Sequence, residues 1–202
     1  MSPSAEREFF AGVQFAEEFL LTESRVHKAL KKLTRLLHQA NIPYAIVGAM
    51  ALNEYGYRRT TEAVDVLLTR EGLEAFKSEH LGLGYVERFP GSRELRDTEN
   101  GVSIDVLLAG HYPGDGKPKP VAFPDPSNAV VGEEIRLLPL PRLLELKIAS
   151  GMLAPHRLRD LADVLELIRL QGLDETLAVE LDPFVREKYL ELCAAARSSD
   201  PE

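Results

Sequence analysis

Val64-Asp65-Val66-Leu67-Leu68 and Val102-Ser103-Ile104-Asp105-Val106-Leu107-Leu108 are short apolar runs, each interrupted by one carboxylate. Runs of this length, rich in β-branched residues, read as buried strands. A charge inside such a strand costs several kcal/mol unless it is paired or bound to a cation. A fold that contains both runs therefore has two ways to place Asp65 and Asp105. It can set them on neighbouring strands as hard oxygen ligands for Mg²⁺, or turn each towards solvent or an arginine. The local pattern leaves both open.

The segment upstream narrows the choice. Tyr44-Ala45-Ile46-Val47 is a third apolar run, stopped by Gly48. Ala49 to Tyr55 are good helix formers that end at Gly56, which fits a C-terminal glycine cap. A basic, Thr-rich loop with Arg58, Arg59, Thr60 and Thr61 then leads to the Asp65 run. Strand, glycine turn, short helix, basic loop and acid-bearing strand together suggest a phosphate and metal site. Glycine lets backbone approach a ligand closely. The amides that open a helix are unpaired donors at a positive dipole end.

A chain of 202 residues is long enough for one sizeable α/β domain with helical flanks and too short for two full domains. The formal net charge of -8 excludes broad, non-specific wrapping of DNA or RNA, which needs positive surface. Arg58, Arg59 and the lysines near residue 117 leave room for a local basic patch. The single cysteine, Cys193, cannot form an internal disulfide and fits packing in a reducing cytoplasm. No apolar run approaches transmembrane length, and an N-terminus with Glu6 and Glu8 does not read as a signal peptide. The expectation is a soluble cytoplasmic protein with no bulk nucleic-acid or membrane partner.

The remaining elements follow from periodicity and breakers. Residues 5–20 read as a helix, and Thr22 or Ser24 can cap the next one, whose apolar side is Val26, Leu30, Leu33 and Leu37. Lys31, Lys32 and Arg35 read as its solvated face. Thr69 caps a helix to about His80 with Leu73, Phe76 and Leu81 on its apolar side, and short strands follow near 85–89 and 94–98. Asn100-Gly101 marks a hairpin turn into the Asp105 strand. Residues 110–126, crowded with Gly and Pro, form a long loop beside the site, where His111 and Lys117 stand at no motif spacing. A last strand spans 135–138. Helices are expected from Pro141 to Ser150, from His156 to Leu170 and from Pro183 to Arg197. Leu158, Leu161, Leu165 and Ile168 form the core stripe of the second of these, with Asp160 and Asp163 at its edge. Lys147, set among leucines, either snorkels or finds a counter-charge. The divisions are N-terminal helices over 1–40, an α/β core over 41–140 and a helical part over 141–202, in one compact domain.

Taken together over residues 42–170, these features resemble the DNA polymerase β-type nucleotidyltransferase superfamily, nearest to its bacterial branch with the AbiEii-type toxins. The residues that carry the resemblance are Gly48 and Ala49 in the glycine turn, Arg59 and Thr61, Asp65 and Asp105, then Lys147 on one helix and Arg159-Asp160 with Asp163 on the next. The resemblance implies a small mixed sheet with helices packed on it and flanking helices at both termini. It implies that Asp65 and Asp105 hold Mg²⁺. The nucleoside triphosphate would lie against Gly48, Ala49, Arg59 and Thr61, with Lys147 on the triphosphate and Asp160 and Asp163 orienting it. A Lys147–Asp160 or Lys147–Asp163 bridge tying the two helices is the alternative, and both can hold.

One position departs from the pattern. The superfamily carries Asp-x-Asp on this strand, two residues apart so that both acids face one side. Here the first is Ala63. Glu62 alternates to the other face, and only a bulge would bring it round. Ala63 reads either as natural decay of the site into a binding or structural role or as a deliberate replacement, and both imply weakened catalysis. Two functions therefore stand side by side. One is a Mg²⁺-dependent nucleotidyltransferase moving a nucleoside monophosphate from NTP to a hydroxyl on a small molecule, an RNA end or a protein. The other is a catalytically dead nucleotide- or partner-binding protein of a toxin–antitoxin or defence system.

Overall fold

The computed structural model describes residues 25–113, 117–132 and 135–198; the helix expected over 5–20 and the cap at Thr22 or Ser24 lie outside them. In chain order the elements are α1 (25–39), β1 (Ala45–Ile46), α2 (Gly48–Glu54), β2 (Ala63–Leu68), α3 (Arg70–His80), β3 (Tyr85–Glu87), β4 (Glu94–Asp97), β5 (Val102–Leu108), β6 (Val130–Val131), β7 (Arg136–Leu137), α4 (Leu140–Leu153), α5 (Leu158–Gln171) and α6 (Pro183–Ser198). Among the described residues the strands form one mixed sheet in the order β3-β4-β5-β2-β1-β7-β6. No described helix is long and apolar enough to cross a membrane.

The centre of the sheet is the parallel pair β2–β5, in register from Ala63↔Ser103 to Leu68↔Leu108. Strand alternation then divides its faces. Val64, Val66, Leu95, Ile104 and Val106 are buried on one face. Ala63, Asp65, Ser103 and Asp105 are half-buried on the other. Helices α1 and α3 cover the first face. Phe76 of α3 meets Tyr85 edge-on at 5.0 Å, and Lys32 of α1 lies 4.9 Å above the same ring. Thr69 caps α3 by accepting from the Gly72 amide, as its sequence position suggests. Leu81, expected on the apolar side of α3, ends that helix more than a third exposed.

Lys32 is not on a solvated face. Its ammonium donates to Asp97 at 2.7 Å and pairs with Glu99 at 2.9 Å, and Asp97 is fully buried. Asn100 and the Glu99 amide also donate to Asp97. Burial pushes the Asp97 carboxyl up, yet these donors outweigh it and hold the group below its ordinary value. Helical periodicity places Lys32 beside the apolar stripe, and only the β3–β4 hairpin turns it inward.

Helix α4 carries buried residues continuously from Leu143 to Gly151, so neighbours surround it on every side. It packs on α5 and α6. The stripe of α5 is rotated from its expected position. Leu158 is largely exposed, whereas Val164, Leu167, Ile168, Asp160 and Asp163 are buried. The acids sit inside the helix packing because Lys147 of α4 meets them there. The last strand is shorter than expected and pairs with an additional two-residue strand, β6. Cys193 is buried in α6.

Asp97→Ala leaves the Lys32 ammonium and the Asn100 amide without their acceptor. It is expected to lower unfolding stability by about 3 kcal/mol, read as a lower urea midpoint at unchanged slope; a loss under about 0.5 kcal/mol contradicts this.

Candidate functional site

The two strand acids come together. Asp65 and Asp105 are Cα partners across β2–β5, so both carboxylates leave the same face of the sheet. Gly48 lies against them. It adopts φ +61, and a Cβ at position 48 would collide with the Asp65 carboxylate. The glycine is thus required twice, for its left-handed backbone and for the space the acid occupies. The Val47 amide donates to the Asp65 carbonyl at 3.1 Å, which fixes the turn on β2. Helix α2 starts at this turn with no side-chain cap, leaving its first amides open towards the cleft.

A cleft of about 690 Å³ opens here, lined by Gly48, Ala49, Arg59, Thr61, Asp65, Asp105, Lys147 and Asp160. These are eight of the positions singled out in the sequence. Two are placed elsewhere: Ala63 lines a neighbouring cavity, and Asp163 is buried behind the wall. His111, Tyr112, Pro113 and Phe123 of the long loop complete the lining, and Arg159 is also part of it. Lys117 is exposed and outside the lining.

The wall opposite the sheet is a charge network. Lys147 donates to Asp160 at 3.1 Å and to Asp163 at 2.7 Å, with all three side chains buried. Arg59 pairs with the same Asp163 oxygen that accepts from Lys147, and Arg157 bonds Asp160 at 2.8 Å. The inter-helix bridge foreseen for Lys147 is therefore present. Burial pushes Asp160 up, but Lys147 and Arg157 outweigh it and hold the group below its ordinary value. Thr61 bonds the Ala63 backbone, at 2.9 Å to its carbonyl and 3.3 Å from its amide, and so shapes the entry to β2.

Electrostatically the acid pair is poised for a cation. Burial first, then the charge of Asp105, pushes the Asp65 carboxyl up to about 6, against the pull of Lys147, Arg157 and Arg59. Burial, then the charge of Glu94, raises Asp105. Two neighbouring carboxylates that resist joint ionisation are the donor set a hard cation stabilises. Among the described residues no group of three or more His, Cys, Asp or Glu side chains is placed to hold a metal. The oxygen donors of Asp65 and Asp105 fit a single hard divalent cation such as Mg²⁺.

Three contributors escaped the sequence reading. Asn53 clamps the Arg59 backbone from both sides, with Nδ2 donating to its carbonyl at 3.0 Å and Oδ1 accepting from its amide at 2.6 Å. Glu94 faces Asp105 across β4–β5. Arg157 stands three residues before Asp160, a helical ion-pair spacing that offered a signal. Glu94 is joined to the site only by strand pairing, and Asn53 by a six-residue turn that no helical or strand period marks.

No family model matches the chain, and no curated protein matches it. The chain is similar in fold to solved structures that include the antibiotic-resistance factor ANT(2'')-Ia. Its solution structure matches at TM-score 0.49 and 17% identity, over 87% of this chain and 92% of that one. Its crystal structure in complex with adenylyl-2''-tobramycin matches at TM-score 0.49 and 17% identity, over 87% and 98%. JHP933 from Helicobacter pylori matches at TM-score 0.48 and 18% identity, over 86% and 89%.

Gly48→Ala is expected to cost about 2–4 kcal/mol, and much of that loss should be recovered in the Gly48→Ala/Asp65→Ala double mutant, a coupling absent if the two groups do not meet. The Asp65 carboxyl, raised to about 6 in the folded state, binds more protons folded than unfolded between about pH 4 and 6. Stability from this group is therefore lost as pH rises through that window. Asp65→Asn should remove that part of the fall and raise stability at pH 8 by about 1–3 kcal/mol, measured by thermal melts from pH 4 to 8; an unchanged pH profile contradicts the shift.

Proposed function

We propose that the chain binds a nucleoside triphosphate with Mg²⁺ in this cleft, on the plan of the DNA polymerase β-type nucleotidyltransferases and their AbiEii-like bacterial branch. The observation that carries this reading is the in-register Asp65–Asp105 pair beside Gly48, whose backbone conformation keeps the turn within touching distance of the acid. Asp65 and Asp105 would hold the ion, which when bound neutralises phosphate charge. The Gly48 and Ala49 amides would bind phosphate oxygens. Arg59, held by Asn53 and Asp163, and Lys147, held by Asp160 and Asp163, would supply positive charge along the triphosphate.

In the transfer step the acceptor hydroxyl oxygen forms a bond to the α-phosphorus, and the bond to the pyrophosphate oxygen breaks. The hydroxyl proton would pass to Asp105, whose carboxylate stands beside Asp65 in the cleft. Thr61 orders the strand entry through the Ala63 backbone and borders the cleft beside the nucleotide. Ala63 leaves the site one carboxylate short, so turnover is weak. A second reading, a nucleotide- or partner-binding protein of a defence or toxin–antitoxin system without catalysis, is favoured by that same alanine: among the described residues no three acids are placed together to hold a metal.

Calorimetry with ATP, CTP, GTP and UTP, each with and without Mg²⁺, tests the reading. Mg²⁺-dependent binding that is lost in Asp65→Asn supports it; no binding of any of the four overturns it. Ala63→Asp should then raise nucleotide transfer by about 10²-fold or more, the scale of a restored electrostatic contact to the transition state. Unchanged turnover in that variant, with Mg²⁺-dependent binding intact, selects the non-catalytic reading.

A further inference from the structure

A second cavity, of about 830 Å³, adjoins the nucleotide cleft and shares Glu94 and Asp105 with it. Its floor is the open face of the sheet, and the strand registers order that floor into two rows. The first runs Asp65, Asp105, Glu94, with Arg88 next to Glu94 by a backbone bond of 3.1 Å. The second runs Ala63, Ser103, Arg96, Val86. The rows are two residues apart along each strand, which is about 6.5–7 Å.

The first row meets the site of chemistry, and the second lies beyond it. Ala63 and Ser103 are small, so the second row is deepest where it adjoins the acids. Four carboxylates line the cavity, Glu62, Glu87, Glu94 and Asp105, and two of them are engaged: Glu87 pairs with Lys77 at 2.7 Å, and Glu94 accepts from Arg88 at 2.5 Å. Glu62, the residue before β2, stands outside both rows. Arg96 has no acidic partner among the described residues; it lines the same cavity, with one guanidinium nitrogen beside Gly101, which lines it too. Arg96 is paired with Ser103, two residues along β5 from Asp105, and a planar fork of donors there is suited to a phosphate or carboxylate.

We propose that this second cavity is the acceptor site, and that it takes a small polyol carrying one anionic group, bound by Arg96, with its reacting hydroxyl beside Asp105. The proposal rests on the transfer reading of the adjoining cleft and adds the class of acceptor to it. Ala63 has a consequence here as well. The carboxylate it lacks would have stood in the floor of this cavity, repelling an anion.

The test is binding to the native chain of ribose 5-phosphate, gluconate, uncharged ribose and a short oligoribonucleotide with a free 3' hydroxyl. Each is titrated by calorimetry at fixed salt, with MgATP titrated separately. Ribose 5-phosphate or gluconate should bind at least about tenfold more tightly than ribose. Arg96→Glu should remove that preference and Arg96→Lys should restore part of it, while MgATP affinity stays within about twofold in both. Ser103→Leu should weaken all polyol binding by filling the floor. Equal binding of charged and uncharged polyols, or no binding of any, overturns the proposal. So does an unaltered preference in Arg96→Glu, or an oligoribonucleotide preferred over both small anions. The nucleotide reading fails by a different signal, the loss of Mg²⁺-dependent ATP binding in the native chain.

Discussion

The pairing of β2 with β5 sets two carboxylates side by side, and the rest of the structure is arranged around that placement. Parallel strands need a long crossover, and the chain supplies it with α3 and the β3–β4 hairpin. Residue-for-residue register then fixes Asp65 opposite Asp105. A slip of one position would send one acid into the apolar face among Val64, Val66 and Ile104. The apolar face thereby enforces the geometry of the polar one. Burial, and then the charge of Asp105, raise the Asp65 carboxyl, so ionising both acids is unfavourable without a cation. Strain of this kind is stable only because burial on the other face of the sheet holds the strands together.

The second organising feature is the buried network of Lys147, Asp160, Asp163, Arg59 and Arg157. It joins α4 to α5 and draws the loop before β2 onto both. Removing one partner from such a network leaves a charge uncompensated, which is far more costly than the net worth of the intact pair. The network thus contributes specificity of position, since Arg59 and Lys147 can face the cleft only while Asp163 holds both from behind. Asn53 does the same for the Arg59 backbone through two hydrogen bonds. The bridging role of Lys147 and its proposed role at the triphosphate are not in competition. The bridge aims the ammonium, and the aimed ammonium borders the cleft.

Much of this was legible in the sequence because the governing signals are local. Glycine stops, a Thr cap, an Asn-Gly turn and acids inside apolar runs each act within a few residues, and they located the strands, α3 and the pair Asp65–Asp105. What the sequence did not show depends on contacts between distant segments. Lys32 looks like a surface residue by helical period, yet Asp97, sixty-five positions away, draws it inward. The stripe of α5 is rotated because the counter-charge of Lys147 outweighs the preference for burying Leu158. Strand β6 is two exposed valines, too short for any pattern. Glu94 and Arg96 acquire meaning only when β4 is laid beside β5.

The most direct measurement of the central claim is crystallographic location of Mn²⁺, standing in for Mg²⁺, in crystals grown with a non-hydrolysable nucleoside triphosphate analogue. The account predicts one anomalous peak at about 2.0–2.3 Å from a carboxylate oxygen of both Asp65 and Asp105, with the phosphates between it and the Gly48 turn. A peak bound elsewhere, or bound nucleotide with no ion between these two side chains, would contradict it.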